Sequence, residues 1–597
     1  MYKFISFIKE FHIPKIQELK SALKSFSKKE YYFIISITII AFLSVVAILN
    51  QLNNKLLVDV PTKGGSITEG IIGMPTLVNP VLATTDADKD LTSLVYSGLM
   101  RRQPDGSFIP DIAESYTISP DGLIYTFIIK KNIKFHDGSP LTADDIIFTI
   151  EKIKDPLIKS PRTGWGQVTT TKKDNYTVVF TLNKPYISFM DNTTIGILPS
   201  HIWKDVTDKE FNISSFNIKA VGTGPYKINS VLKNKDGIPQ QYNLKKFSGF
   251  ILGNPNIKKL TIKSFSNEKD LIRELLSGSI NQAGNINPKN TENFNNLNFT
   301  IHTTTLPRIF GIFYNSTNNK IFADQNVLKA INYALNKQEI IDKVLYGYGT
   351  VTESPIPQTI FKDHNKVESF NIDMANKLLD KSGWKPGSDG IREKGGTSTI
   401  IKTKKIGKKT VNETIKVNNG PLLKLEFSLT TGDTPELRNV TQIIKTQLET
   451  IGIKVNIAKV YEMGSLNQII KNREYEALFF GQIINHESDL FSFWHSSQRK
   501  DPGLNISMYN SIKIDKILDD AQKTISQEDR NNKYKNFVEE FNKDLPALLI
   551  YSPKYLYITS KELNNIDINT LINPTDRFAS IYKWYANKDH VWKIFTK

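Results

Sequence analysis

The 597-residue chain contains no cysteine. That absence removes thiolate nucleophiles, disulfide staples, thiolate metal sites and lipid attachment through a cysteine, so packing alone must hold the fold together. The usual catalytic signatures are missing too: there is no H-E-x-x-H zinc helix, no G-x-S-x-G nucleophile elbow and no G-x-x-x-x-G-K-[ST] phosphate loop. Acidic residues are in the minority, 60 Asp+Glu against 77 Lys+Arg, which leaves a formal charge of +17. The lysines are dispersed along the chain and no compact Arg/aromatic module stands out, so nucleic acid is excluded as a partner. A solvated basic surface drawn to anionic lipids is the expected reading.

Long apolar runs are scarce as well, with one exception. Tyr31 to Leu49 is an uncharged stretch of 19 residues, just enough to span a hydrocarbon core of about 30 Å as a helix. Before it stand seven lysines (Lys3, Lys9, Lys15, Lys20, Lys24, Lys28, Lys29) against Glu10, Glu18 and Glu30, a bias that keeps the N-terminus cytoplasmic. A cleaved signal peptide and a buried core helix compete with a membrane span. The run is long for a signal peptide and no A-x-A site follows Leu49, so an uncleaved anchor with an extracytoplasmic body is expected.

Beyond the anchor the chain is long enough for two or three lobes. Residues 50–64 read as a stalk, and the first body strand begins near Gly65. Ser119-Pro120-Asp121-Gly122, between alternating Tyr116/Ile118 and Tyr125/Phe127/Ile129, predicts a hairpin. Thr142 to Asp145 is a capping box ahead of a helical stripe at Ile146, Ile150 and Ile153. Further stripes follow Asp324 (Val327, Ile331, Ala334) and span Val440 to Ile451, closed by Gly452. Interleaved helices and strands predict mixed α/β lobes. Gly395 to Asn419, rich in lysine, reads as a surface hairpin or loop. Gly222-Thr223-Gly224 lacks a third glycine and precedes Pro225-Tyr226, so it reads as a strand-entry turn and not a nucleotide loop. His136-Asp137-Gly138 is explained by a turn. His486, Glu487, Asp489 and His495 match no standard zinc spacing and read as a polar, ligand-facing loop; no metal and no cofactor are assigned.

The run Ala113 to Pro156 (AESYTISPDGLIYTFIIKKNIKFHDGSPLTADDIIFTIEKIKDP) resembles the signature of the family 5 solute-binding proteins of ABC importers, whose members take peptides, oligopeptides or nickel. Gly222 to Tyr226, Ala330 to Leu335, Leu378-Leu379 with Ser382-Gly383-Trp384, and Tyr475-Glu476-Ala477 look like successive landmarks of the same family. The resemblance implies an α/β, two-lobed periplasmic-binding-protein-like fold of class II (a Venus flytrap) with an extra inserted domain. Its first lobe would comprise residues 65–84, 221–312 and 536–597, the inserted domain 85–220, and the second lobe 313–535. The implied function is capture of a peptide by lobe closure and delivery to an ABC permease driven by a separate ATPase, without turnover, by a monomer. A metal chelate or an oligosaccharide in the same cleft is the alternative, and an extracytoplasmic hydrolase a more distant one.

Peptide binders of this kind hold the ligand's amino terminus with an aspartate in a W-x-x-D-like segment. Here the position falls at about Ile484, which cannot pair with an ammonium. Asn485, His486, Glu487 and Asp489 are the nearby ligand candidates, with Trp494 as a cover. Thr76 and Asn79, from a segment resembling the family's first cleft loop, together with Tyr96 and Arg438, complete the expected lining.

Overall fold

The computed structural model describes residues 17, 21, 25–103, 106–186, 188–294, 298–361, 368–406, 409–418, 420–524 and 526–596. The lysines at 3, 9, 15, 20 and 24 on which the charge bias partly rests lie outside them. Two compact units are present, one formed by residues 1–62 with 587–597 and the other by 63–586.

In the smaller unit a helix spans Lys28–Leu56. Ser27 starts it through a reciprocal capping box with Glu30, and none of its residues is buried. By length and composition this helix can cross a membrane. The expected stalk is not a free coil. Helix continues to Leu56, and Leu57–Pro61 is a strand paired antiparallel with Lys588–Trp592.

The larger unit is organised by one twelve-stranded mixed sheet that works as two halves. In the first half Gly64–Ile72 lies parallel to Ile257–Phe265, which pairs antiparallel with Pro239–Lys246, and that strand in turn antiparallel with Tyr226–Lys233. In the second half Glu426–Gly432 lies parallel to both Lys454–Tyr461 and Ala477–Ile483, and Arg308–Tyr314 follows antiparallel. The 14-residue strand Ala547–Ser560 belongs to both: Ala547 to Tyr551 pair with Phe313 to Phe310, whereas Lys554 to Ser560 pair with Thr305 to Phe299.

The chain therefore crosses between lobes at two adjacent places, Thr305 to Arg308 and Ser552 to Lys554, each containing a proline, Pro307 and Pro553. A proline has no N–H to give a ladder, and the pairing with the strands Phe299–Thr305 and Arg308–Tyr314 has its gap at these residues, although Gly349–Val351 pairs with Tyr551 to Pro553. Crossing into the second lobe comes slightly before the expected 313. The return comes inside the long strand and not at 536, because Phe537, Phe541, Ala547 and Leu549 pack with Phe313 and Leu478 of the second lobe.

A four-stranded antiparallel sheet built from Ala113–Ile118, Ile124–Ile129, Thr177–Leu182 and Val168–Asp174 forms the inserted domain. The predicted hairpin turns at Ser119 to Gly122, where Gly122 takes φ +69. The helix Ala143–Lys154 starts at the Thr142/Asp145 capping box. Trp165, Phe180 and Phe189 pack mutually edge-on with centroids 5.4 to 5.6 Å apart. Their cluster is continuous with the core of the first lobe, down to Ile67 and Trp584. The second lobe has its own cores, around Ile331 and Val440 and around Trp494 and Phe537. Inserted domain and first lobe thus form one packed block, and among the described residues the two proline-bearing crossings join it to the second lobe. The lysine-rich insertion is a hairpin, Thr397–Ile406 paired with Lys409–Asn418.

Candidate functional site

The helix Asp86–Val95 begins at Thr85, whose side chain accepts from Asp88 N–H. Its last turn delivers Thr92, Ser93 and then Tyr96 to a cavity of about 570 Å³. Backbone packing fixes that delivery. Gly224 N–H donates to Val95 O at 2.8 Å, and a Cβ on Gly222 would meet the same oxygen at 2.2 Å. The Gly222-Thr223-Gly224 turn is therefore the bed on which Val95 and Tyr96 lie, as well as the entry to the strand Tyr226–Lys233.

The rest of the wall includes Met100 to Arg102, Asp111, Arg162, Trp165 and Asp191 to Gly196 from the block of inserted domain and first lobe, Ile572 to Ala579 near the end of the body, and Asn485, His486 and Asp489 from the second lobe. The second lobe touches the inserted domain across the gap. Ser488 Oγ lies 3.1 Å from Ser188 Oγ, and His486 Nδ1 lies 3.1 Å from Asp191 Oδ2. Both lobes line the cavity, and these contacts close it on one side.

Its electrostatics are mixed. Arg102 pairs with Asp191, and Arg101 Nε donates to Asp111 Oδ2 at 2.8 Å. Burial lowers the pKa of Arg102 and of Arg162 below the ordinary guanidinium range, the nearby Asp576 opposing this at Arg102. Asp576 is raised by burial, although it accepts backbone N–H bonds from Ile572 and Asn573. His486 is lowered by burial against the pull of Asp489, which favours its neutral form. Among the described residues, Thr92 Oγ1, Tyr96 OH, Asp111 Oδ1 and Asn485 Oδ1, all on residues of the wall, are buried without a hydrogen-bond partner. Buried polar atoms are normally satisfied, and unmet ones at a cavity wall are where a ligand's polar groups gain most.

Of the residues expected from sequence, Tyr96, Asn485, His486 and Asp489 come together here. The others do not line the cavity. Thr76 N–H is held by Asp88 Oδ1, and Asn79 is fully buried, its side chain donating to Asn217 and accepting from Val81 N–H. Arg438 is half-exposed and pairs with Asp433. Glu487 accepts from Arg530 Nε at 2.8 Å and from Tyr534 OH at 3.0 Å, so it ties the loop to a helix. Trp494 is a core residue against Phe541. Ile484 is also core, with its N–H given to Pro307 O in the hinge. The position that faces the cavity is Asn485, one residue on. Asp489 acts on the loop itself, its Oδ2 accepting from the N–H groups of Asn485 and His486. Among the described residues no group of three or more His, Asp or Glu is arranged to hold a metal. Arg101, Arg102, Asp111, Arg162, Asp191 and Asp576 were not foreseen; they converge from distant segments and no local spacing marks them.

A profile of the bacterial extracellular solute-binding proteins, family 5, matches residues 107–502. The chain belongs to that family. This family 5 protein is 28% identical over 535 residues to the oligopeptide-binding protein AppA of Bacillus subtilis, covering 85% of this chain and 92% of the relative. The solved structure of AppA in complex with a nonapeptide superposes with a TM-score of 0.64 at 26% identity, covering 88% of this chain and 99% of that one. That of NikZ from Campylobacter jejuni in complex with Ni(L-His) gives 0.66 at 25% identity, covering 87% and 99%. The family 5 receptor is thus an extracytoplasmic solute-binding protein with the two-lobed α/β fold of its relatives.

Proposed function

We propose that this receptor captures short peptides in the cavity between its lobes and hands them, unaltered, to a membrane permease driven by a separate ATPase, acting as a monomer held by the Lys28–Leu56 helix as an uncleaved anchor. The observation that carries the reading is the pair of unmet acceptors, Asn485 Oδ1 on the second lobe and Asp111 Oδ1 on the block of inserted domain and first lobe opposite, at a cavity that guanidinium groups also line. A peptide supplies both kinds of partner: an ammonium for the acceptors, and a carboxylate for the N–H groups of Arg102 and Arg162 that Asp191 and the carbonyls of Pro80 and Ala83 do not take. Spanning both lobes, it stabilises the shut form by its contacts with each. Titration calorimetry against defined peptides of graded length, with small-angle scattering on the same samples, tests this. Binding with contraction of the body is expected; a body that neither binds any peptide nor contracts refutes it.

A second reading, a metal–amino-acid chelate as cargo, is favoured by one observation: His486 is held neutral by burial and lines the cavity. Neutral imidazole is a metal ligand. Binding of a nickel–histidine complex that is abolished in His486→Ala, with no peptide binding, would replace the first reading with this one.

A further inference from the structure

The smaller unit has a feature that neither capture nor transfer uses. The strand Leu57–Pro61 leaves the anchor helix heading away from it, and its partner Lys588–Trp592 runs antiparallel, in the register Pro61 with Lys588 to Leu57 with Trp592. The C-terminal strand therefore runs back toward the level at which the helix ends. Its last residue is fastened there: Trp592 Nε1–H donates to Asn53 Oδ1 in the final turns of the helix at 2.7 Å. Past Trp592 comes the short turn Lys593–Phe595. Ile594 and Phe595 are 75% and 74% exposed and Trp592 is 43% exposed, beside an equally bare Leu52 and Leu56. Nothing within the protein covers these side chains among the described residues.

We infer that the C-terminal segment Trp592 to Phe595 is a second membrane contact, seated in the outer interface of the bilayer that the helix crosses. The inference rests on the anchoring reading above. Asn53 lies four residues beyond Leu49, about 6 Å along the axis, which is headgroup level for a helix whose apolar run is 31–49. A tryptophan fastened at that depth has the apolar ring and polar N–H that this zone selects. Ile594 and Phe595, in the turn that follows the returning strand, then meet acyl chains instead of water, while Lys55 and Lys593 meet lipid phosphates. A cluster of exposed large apolar residues on a soluble surface would be an aggregation hazard; at the exit point of a membrane helix it is continuous with a lipid-facing surface.

A chain without cysteine allows a direct test. Ile594→Cys, Ile40→Cys within the helix and Glu539→Cys on the body surface each receive one nitroxide in the full-length protein. The three are reconstituted in phosphatidylcholine vesicles containing phosphatidylglycerol. Collision with oxygen, which partitions into lipid, is compared with collision with a water-soluble nickel chelate. The expected result is an oxygen preference at 594 severalfold above that at 539 and approaching that at 40. A label at 594 that behaves like the one at 539, while 40 reports lipid, overturns the second contact and leaves the anchor standing. A label at 40 that reports water overturns both.

Discussion

Replacing Asn485 by Asp tests the peptide reading at its weakest chemical point. Asn485 lines the cavity, and its Oδ1 is a buried neutral acceptor without a partner among the described residues. Against a ligand ammonium, a carboxylate there gains about 4 kcal/mol of Coulomb energy at 4 Å in an effective dielectric of about 20. It also meets Asp489, whose Oδ2 is 2.9 Å from the backbone nitrogen of residue 485. Repulsion from Asp489 acts with and without the ligand, so it bears on stability and not on affinity; the desolvation of the two charges is what offsets most of the Coulomb gain. A net gain of about 1 kcal/mol, the difference between a charge-assisted and a neutral hydrogen bond, corresponds to roughly five- to tenfold tighter binding. Calorimetry with one peptide in free and N-acetylated forms reads it: Asn485→Asp should improve the free amine alone. Equal gains for both forms, or none for either, would refute the placement of the amino terminus at residue 485.

Other outcomes follow from the packing around the site. His136 Nε2 lies 3.0 Å from Gly224 O while Nδ1 accepts from Gly222 N–H, and burial, with Lys227 adding to it against the pull of Asp137, holds its pKa down to about 4. The unfolded chain then binds the extra proton between about pH 6.5 and 4, so the advantage of wild type over His136→Asn shrinks as pH falls through that window, by up to about 3 kcal/mol; pH-independent difference in unfolding free energy would contradict this. Gly222→Ala forces a Cβ onto Val95 O and should weaken ligand binding through displacement of Tyr96, seen as a fall in affinity larger than the change in melting temperature predicts. Arg577 bridges Glu69 and Asp90 in the first lobe, all three buried. Arg577→Met leaves two uncompensated carboxylates and should cost about 3 to 5 kcal/mol in denaturant unfolding, with a loss under about 1 kcal/mol counting against it.

Much of the architecture was legible because it is written locally. The capping box at Thr142, the turn at Ser119 to Gly122 and the stripe closed by Gly452 depend on residues within a few positions of each other, and the structure has all three. The lobe crossings were less legible, since a strand that serves two half-sheets carries no mark of where its partners change. The site was hardest. Asn485 and Tyr96 line the cavity as expected, but Trp494 and Glu487 are scaffold, because an aromatic or a carboxylate beside such a loop looks the same in sequence whether it faces the cavity or the core. The one-residue offset between Ile484 and Asn485 is of the same kind: successive residues leaving a strand point to opposite sides, so an error of one exchanges core for cavity.

The paired strands that follow the helix also set a length scale. On the anchoring reading proposed above, the strand Leu57–Pro61 adds about 17 Å of reach, which holds the receptor to the bilayer surface instead of leaving it free in a volume. Encounter with a partner embedded in the same sheet of lipid then becomes a search in two dimensions at high local concentration. Affinity between receptor and permease need not be strong for transfer to be frequent, and a weak, quickly released contact is what a carrier that must return for its next load requires.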